Sequence, residues 1–411
     1  MRFWQVSLTI LIAAPFAGVA VARLQRPSAY EWMRRATVAE KVGKIDVAES
    51  ALRRAVARDE NNYVARVRLA RLALERSDVV TAAAAAHPIP DDHAVALTAR
   101  LIESDAWFQM NRLVPTESCW LRAYELNPEH PAVCAGLAQL YGIQLRKEQW
   151  RKILWETYDR GNAGLDEMLQ LTMAGLELRN FTGNLAKLRA AVAADPVDRN
   201  TRRALAVHQA RSGQLEQARQ DLTAMLQDSP DDLQTWFALA ECHATAADAN
   251  SLGELLDRAP ALAQSDDRSW QILAAQALLQ NRPNDAIQYY GRALEEYPYA
   301  AHVHVGITEA LRMVGQSARA HLEVTRETAW IEQIIPTLHT NGWDLDLISQ
   351  LIRSCEKLLL VEEAIGWVRV GVAKEPDNAF LQEANNRLRS LPRTSSRNPP
   401  AWESLAQRLS W

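Results

Sequence analysis

A small residue returns every 34 positions, nine times without interruption: Ala36, Ala70, Ser104, Ala138, Thr172, Ala206, Ala240, Ala274 and Thr308. From the fourth member on, the position just before it is Leu137, Leu171, Leu205, Leu239, Leu273 and Ile307. A period of 34 is the length of one helix–turn–helix repeat. One such unit cannot bury its apolar face alone, so neighbours must stack in a line. At 411 residues the chain has the length of two or three ordinary domains. The period instead predicts one long array held together by nearest-neighbour contacts.

Counting each unit from seven residues before the small position, repeats begin at 29, 63, 97, 131, 165, 199, 233, 267 and 301. Unit 199–232 is the best formed. Leu205 and Ala206 lie on its first helix, Gly213 in the turn, Ala218, Leu222 and Met225 on the second helix, and Pro230 closes it. The small residue lets two helices approach, and large apolar residues at three- and four-residue spacing fill the seam. Other places share the register. Pro128, Pro196, Pro230 and Pro298 recur at multiples of the period, as do Ala48, Ala82, Ala218, Ala286 and Ala320, and Ala55, Ala123, Ala191, Ala259 and Ala293. Trp32, Trp236 and Trp270 hold the fourth place, a packing position.

This order of Trp, Leu and a small residue, a bulky residue, then Ala and Pro resembles the tetratricopeptide repeat family over residues 29–378, most fully in 199–232 and 267–300. The resemblance implies an all-α, right-handed superhelical solenoid of about ten repeats. Unit 63–96 departs from the pattern, its second helix reduced to Ala82–Ala86 and cut by Pro88 and Pro90. Unit 301–334 has Glu327 where a small residue is expected. About ten residues with Pro336, Asn341 and Gly342 then intervene before a tenth unit at 345, with Ala364 and Pro376 in place. Residues 377–391 read as a solvating cap helix, so the array as a whole covers 25–391.

Net charge is −4, distributed unevenly. Residues 23–76 carry 13 Lys/Arg against 7 Asp/Glu, which leaves 77–411 at −11. The acidic array argues against nucleic acid as a partner. The basic stretch reads either as a solvated helix face or as a surface for anionic head groups. Cys119, Cys134, Cys242 and Cys355 form no CxxC pair. Cys119 and Cys134 fall on consecutive helices and are either buried thiols or one disulfide.

Phe3–Ala22 is nearly all apolar and uncharged, with Arg2 before it and Arg23 and Arg26 after. Twenty such residues are long enough to span a bilayer, so 1–24 is expected to be a membrane anchor. Ala20-Val21-Ala22 keeps a cleaved signal peptide open. Lys/Arg bias argues for repeats in the cytoplasm, while the very short leading tail resembles an export signal. The expected placement is a bacterial inner membrane, crossed once, with the repeats on the outer, periplasmic side. An exported soluble protein or cytoplasmic repeats are the alternatives.

Motifs of catalysis are absent. There is no Gly-rich phosphate loop, HExxH, GxSxG or Asp-rich calcium loop. His302 and His304, two apart on a helix, point about 200° from one another, one toward the groove and one toward the seam. Asp231-Asp232 and Asp266-Asp267 start first helices, where carboxylates stabilise free N–H groups. No metal, cofactor or small-molecule substrate is expected.

The family resemblance implies that places 2, 5, 9, 12 and 13 of each unit face a concave groove. In the middle units the candidate partner-binding residues are Asn200, Arg203, Arg211, Gln234, Phe237, Glu241, Arg268, Gln271, His302, Glu309 and Arg312, beside Val207, Thr245, Ala275, Leu278 and Val305. This is a mixed surface with Arg on one flank and one exposed aromatic, suited to an extended peptide with acidic and apolar side chains. The family's carboxylate clamp would need Asn at place 9 of 199–232, where Val207 stands beside Arg203. Residues 392–400, PRTSSRNPP, read as a flexible linker. Beyond it, Trp402, Leu405 and Leu409 share one face of a short helix that ends at Trp411. The expected function is a non-catalytic, membrane-tethered scaffold or adaptor binding protein partners for envelope complex assembly. The alternative is a regulatory or targeting subunit of an envelope enzyme whose catalysis lies on another chain.

Overall fold

The computed structural model describes residues 27–177, 184–264 and 266–409. The Phe3–Ala22 segment and Trp411 lie outside them. The described chain is helical throughout, its sole β contact being a bridge between Ser395 and Asn398. No described helix is long and apolar enough to cross a membrane. The chain divides into two compact units, Met1–Asn127 and Pro128–Trp411.

Apart from the 165 unit, the repeats are antiparallel helix pairs, such as Ala29–Lys41 with Ile45–Arg58, or Arg199–Arg211 with Leu215–Asp228. The 34-residue small position lies inside the pair. Ala36, Ala70, Ala206, Ala240 and Ala274 are fully buried, and Ser104, Ala138 and Thr172 nearly so. A larger side chain there would drive the helices apart. First helices start on side-chain caps. Asn62, Asp198, Asp232 and Asp344 each accept a backbone N–H from the first turn.

A second 34-residue signal lies in the backbone. Gly43, Ser77, Asn111, Leu145, Gly213, Ala247, Asn281 and Gly315 all have φ between 54° and 84°. In each of these turns the next N–H bonds to a carbonyl five residues back, as in Asp78 to Ala73 and Asp248 to His243. This geometry ends the first helix and reverses the chain in three residues. Three of these eight positions, Ser77, Leu145 and Ala247, are neither glycine nor asparagine, so residue identity alone does not mark every turn.

In the first unit the shortened helix Val79–Ala86 is completed by a buried cation. Arg100 is fully buried, pairs with Glu103 and donates to the carbonyls of Ala86 and Ile89. Pro88 and Pro90 stop the helix, so the Ala86 carbonyl keeps only the Ile89 N–H in place of a full helical bond. Asp91 bridges Arg100 and Arg122, and His87 closes onto Glu103.

In the second unit, first helices Arg199–Arg211, Leu233–Thr245, Arg268–Leu279 and Ala301–Met313 pack side by side. The helix Leu165–Gly175 does not follow this pattern. It packs on Lys147–Asp159 and on two helices far along the chain, Arg319–Asn341 and Val361–Lys374. The Trp367 indole N–H donates to Thr172 Oγ1 at 3.0 Å, and the Tyr158 hydroxyl donates to the Glu362 carbonyl at 2.8 Å. Gly366 makes the approach possible, since a Cβ there would lie 2.5 Å from Met168 Cε. The last repeat thus returns to the first two repeats of its unit, a closure the periodicity did not contain.

The ten extra residues expected at 335–344 take the form of a lengthened helix, and the next first helix starts at Leu345. The second helix of the 301 unit runs unbroken through Arg319–Asn341 with Pro336 inside it, and stops at Gly342, φ 79°. Residues 392–400 are not a free linker. The Glu362 N–H donates to the Thr394 carbonyl, Ser396 N–H donates to Glu363 Oε1 at 2.9 Å, and Arg397 pairs with Asp159 and Glu362. Helix Trp402–Leu409 then docks on Arg319–Asn341, with Leu405 and Leu409 buried. The polar residues of PRTSSRNPP serve as hydrogen-bonding side chains and turn formers in a strap. All four cysteines are buried free thiols, so no Cys119–Cys134 disulfide exists.

Candidate functional site

The second unit encloses a cavity of about 340 Å³. Eight of the eleven sequence-predicted residues line it: Asn200, Arg203, Arg211, Gln234, Phe237, Glu241, Arg268 and Gln271. They come from three adjacent first helices, which place the same repeat positions on one wall. The remaining three lie elsewhere. His302 stands outside the lining, with its Nε2 2.7 Å from Gln271 Oε1 and its charge acting on Glu177. Glu309 and Arg312 pair with one another on an exposed face.

The opposite wall was not legible in the sequence. Gln144, Arg146, Lys147, Arg151, Glu177 and Tyr297 supply it. Gln144 reaches Thr201 Oγ1 at 3.0 Å, which brings the turn after Pro131–Ile143 against the helix Arg199–Arg211. Arg151 holds the end of Leu165–Gly175 by donating to the Ala174 and Gly175 carbonyls. Burial alone would raise the Glu177 carboxyl, but Lys147, Arg151 and His302 outweigh it and hold it at about 2. Glu177 is therefore a fixed anion on that wall.

Phe237 is corrected from exposed aromatic to covered floor. It is 5% exposed, lying edge-on to Trp236 with the Arg268 guanidinium 4.1 Å above its ring. Arg268 is set in turn by Asp266, at 2.7 Å and 2.9 Å, and by Gln234 Oε1 at 2.9 Å. Arg203 donates to Asn200 Oδ1 and approaches Asp232 only to 3.8 Å. Burial pulls its pKa down, and Asp232 offsets this in part. Its positive charge is buried and only loosely paired. Val207, Ala204, Ala238 and Ile272 add apolar surface.

Across the cavity six cationic side chains face three carboxylates, with Asp232 and Asp266 behind them. Among the described residues, its lining contains no Ser, Thr, Cys or His. The two histidines of the HxH pair diverge. His302 meets Gln271, whereas His304 is buried, donating from Nε2 to the Pro298 carbonyl and accepting from His321 at Nδ1. Among the described residues no cluster of His, Cys, Asp or Glu is arranged to hold a metal.

No protein-family profile and no curated protein matches this chain. Among solved structures it is similar to a tetratricopeptide repeat protein from Parabacteroides merdae, at 14% identity over 70% of this chain and 99% of that one, TM-score 0.29. It is also similar to the APC/C hetero-tetramer Cut9–Hcn1, at 15% over 88% and 76%, TM-score 0.33. Yeast Tom70 is matched at 12% over 93% and 95%, TM-score 0.30. In fold the chain is an all-α array of tetratricopeptide-like helix–turn–helix repeats.

Proposed function

We propose that this protein is a non-catalytic binding scaffold whose second unit receives a short segment of a protein partner in the cavity between Arg203, Arg268 and Phe237 on one wall and Arg146, Lys147 and Glu177 on the other. The observation that supports this reading is the convergence of eight residues from recurring repeat positions on one partly open, polar, cation-rich space. Its volume lies at the low end of ligand pockets, which suits a chain end or two or three residues better than a long extended peptide. Excess cationic groups over an apolar floor favour an acidic segment carrying one apolar side chain. The chain is further proposed to be tethered through residues 3–22 to a bacterial inner membrane, repeats on the outer side, and to assist assembly of envelope complexes.

The test is cross-linked capture of the full-length protein from its native membrane, beside Val207→Trp, which fills the cavity, and Arg203→Gln, which removes a buried, loosely paired charge. Circular dichroism checks that both variants keep the wild-type helix content. One set of proteins captured by the wild type and lost with both folded variants supports the cavity. Unchanged capture overturns it.

A further inference from the structure

The first helix pair carries an exposed face in which cations and apolar side chains alternate. On Ala29–Lys41, the residues Tyr30, Arg34, Arg35, Val38 and Lys41, with Val42 just beyond, fall within an arc of about 140°. Tyr30 is 77% exposed, Val38 58% and Val42 61%. The face continues onto Ile45–Arg58 through Trp32, whose ring lies under Arg35 at 4.5 Å and Arg54 at 4.7 Å. Val47, 54% exposed, and Arg58 extend it.

Four of the neighbouring carboxylates are already engaged, whereas Asp59 and Glu60, just past Arg58, are exposed and form no ion pair among the described residues. Glu40 pairs with Arg68, Asp46 and Glu49 with Arg76, and Glu31 turns back to cap its own helix at Ser28. Arg34, Arg35, Lys41, Arg54 and Arg58 engage no carboxylate among the described residues. The face is thus a set of uncompensated cations around valine and tyrosine side chains, on the helix that begins six residues after the apolar stretch Phe3–Ala22. Six residues reach at most about 20 Å.

We infer that this face lies on an anionic lipid surface, with Tyr30, Val38, Val42 and Val47 entering the headgroup layer and the five cations pairing with lipid phosphates. Nearness to the apolar stretch Phe3–Ala22, at most about 20 Å of chain away, selects an anionic bilayer over an acidic protein as the occupant. The inference rests on the membrane placement proposed above and is independent of the cavity.

The experiment uses the full chain carrying Val38→Cys labelled with an environment-sensitive fluorophore, which is selective because all four native cysteines are buried. The protein is mixed with vesicles of phosphatidylcholine alone or with one-third phosphatidylglycerol. Sedimentation with neutral vesicles reports the apolar segment, and the label reports the face, so the two can fail separately. The expected result is a blue-shifted label, quenched by spin-labelled lipid, on anionic vesicles only. High salt is expected to reverse it. Arg34→Glu with Arg54→Glu is expected to weaken the response by roughly tenfold or more. A label that stays water-exposed on anionic vesicles overturns the inference, as does failure to bind either vesicle. A label already shielded without lipid also overturns it, and assigns the face to a second copy or to residues 3–22.

Discussion

Arg397 grips Asp159 from 238 positions away in sequence, its two terminal nitrogens 2.7 Å and 2.9 Å from the two carboxylate oxygens. The same guanidinium bonds Glu362 at 3.2 Å and covers the Trp155 ring at 4.1 Å. One side chain thereby joins the second helix of the 131 repeat, the last repeat and the C-terminal strap. Asp159 is half exposed, so the ion pair itself is worth little more than a surface bridge. Its importance is geometric.

Replacing Arg397 by Ala is expected to cost about 1 kcal/mol, from a bidentate, partly screened pair and the lost contact with Trp155. A double-mutant cycle with Asp159→Asn in urea unfolding measures the pair directly. A coupling indistinguishable from zero would show that the strap is held by Leu405 and Leu409 alone.

Gly366→Ala tests the closing seam without touching the strap. Its new methyl would meet Met168 Cε at 2.5 Å and the Tyr158 ring at 2.8 Å. An overpacked seam is expected to lose about 1–3 kcal/mol. Hydrogen exchange should rise in Leu165–Gly175 and Val361–Lys374 and stay unchanged in the first unit.

Ala247 holds φ 55° in a turn whose equivalents at 213 and 315 are glycine. A left-handed backbone costs an L-residue about 1–2 kcal/mol, partly offset in glycine by chain entropy. Ala247→Gly is therefore expected to raise stability by about 0.5–1 kcal/mol. A lowered melting temperature would contradict the turn geometry.

Glu363 is 1% exposed, and burial raises its pKa to about 6 despite the Ser396 N–H. Between the unfolded value of 4.5 and about 6 the folded state holds the extra proton, so this group's contribution falls as pH rises through that window. Buried His304, His321 and His208, all with pKa values lowered chiefly by burial, contribute in the opposite sense. Their stabilisation is present above pH 6.5 and is lost as pH falls toward about 4. The comparison with Glu363→Gln isolates the carboxyl. The variant should gain about 2 kcal/mol on the wild type between pH 4.5 and pH 7, read from urea midpoints. Parallel pH curves for the two proteins would refute a buried neutral acid.

What was legible in the sequence is whatever repeats. Burial of one face per helix recurs with each unit, so Ala36, Ala206 and Ala274 disclose the helix pairs, and their phase discloses which positions share a wall of the cavity. Local capping chemistry at Asp232 was equally readable, because it acts within one turn. The second wall was not. Lys147, Arg151 and Glu177 reach the site only because Leu165–Gly175 leaves the stack to meet Val361–Lys374, and that choice depends on a glycine, a tryptophan and a threonine nearly 200 residues apart fitting together. The strap was misjudged for the same reason. Ser396 and Arg397 look like linker residues until Glu363 and Asp159 are placed beside them. Periodicity is a nearest-neighbour property and determines the array. Closure is a contact between distant repeats, and only the tertiary structure decides it.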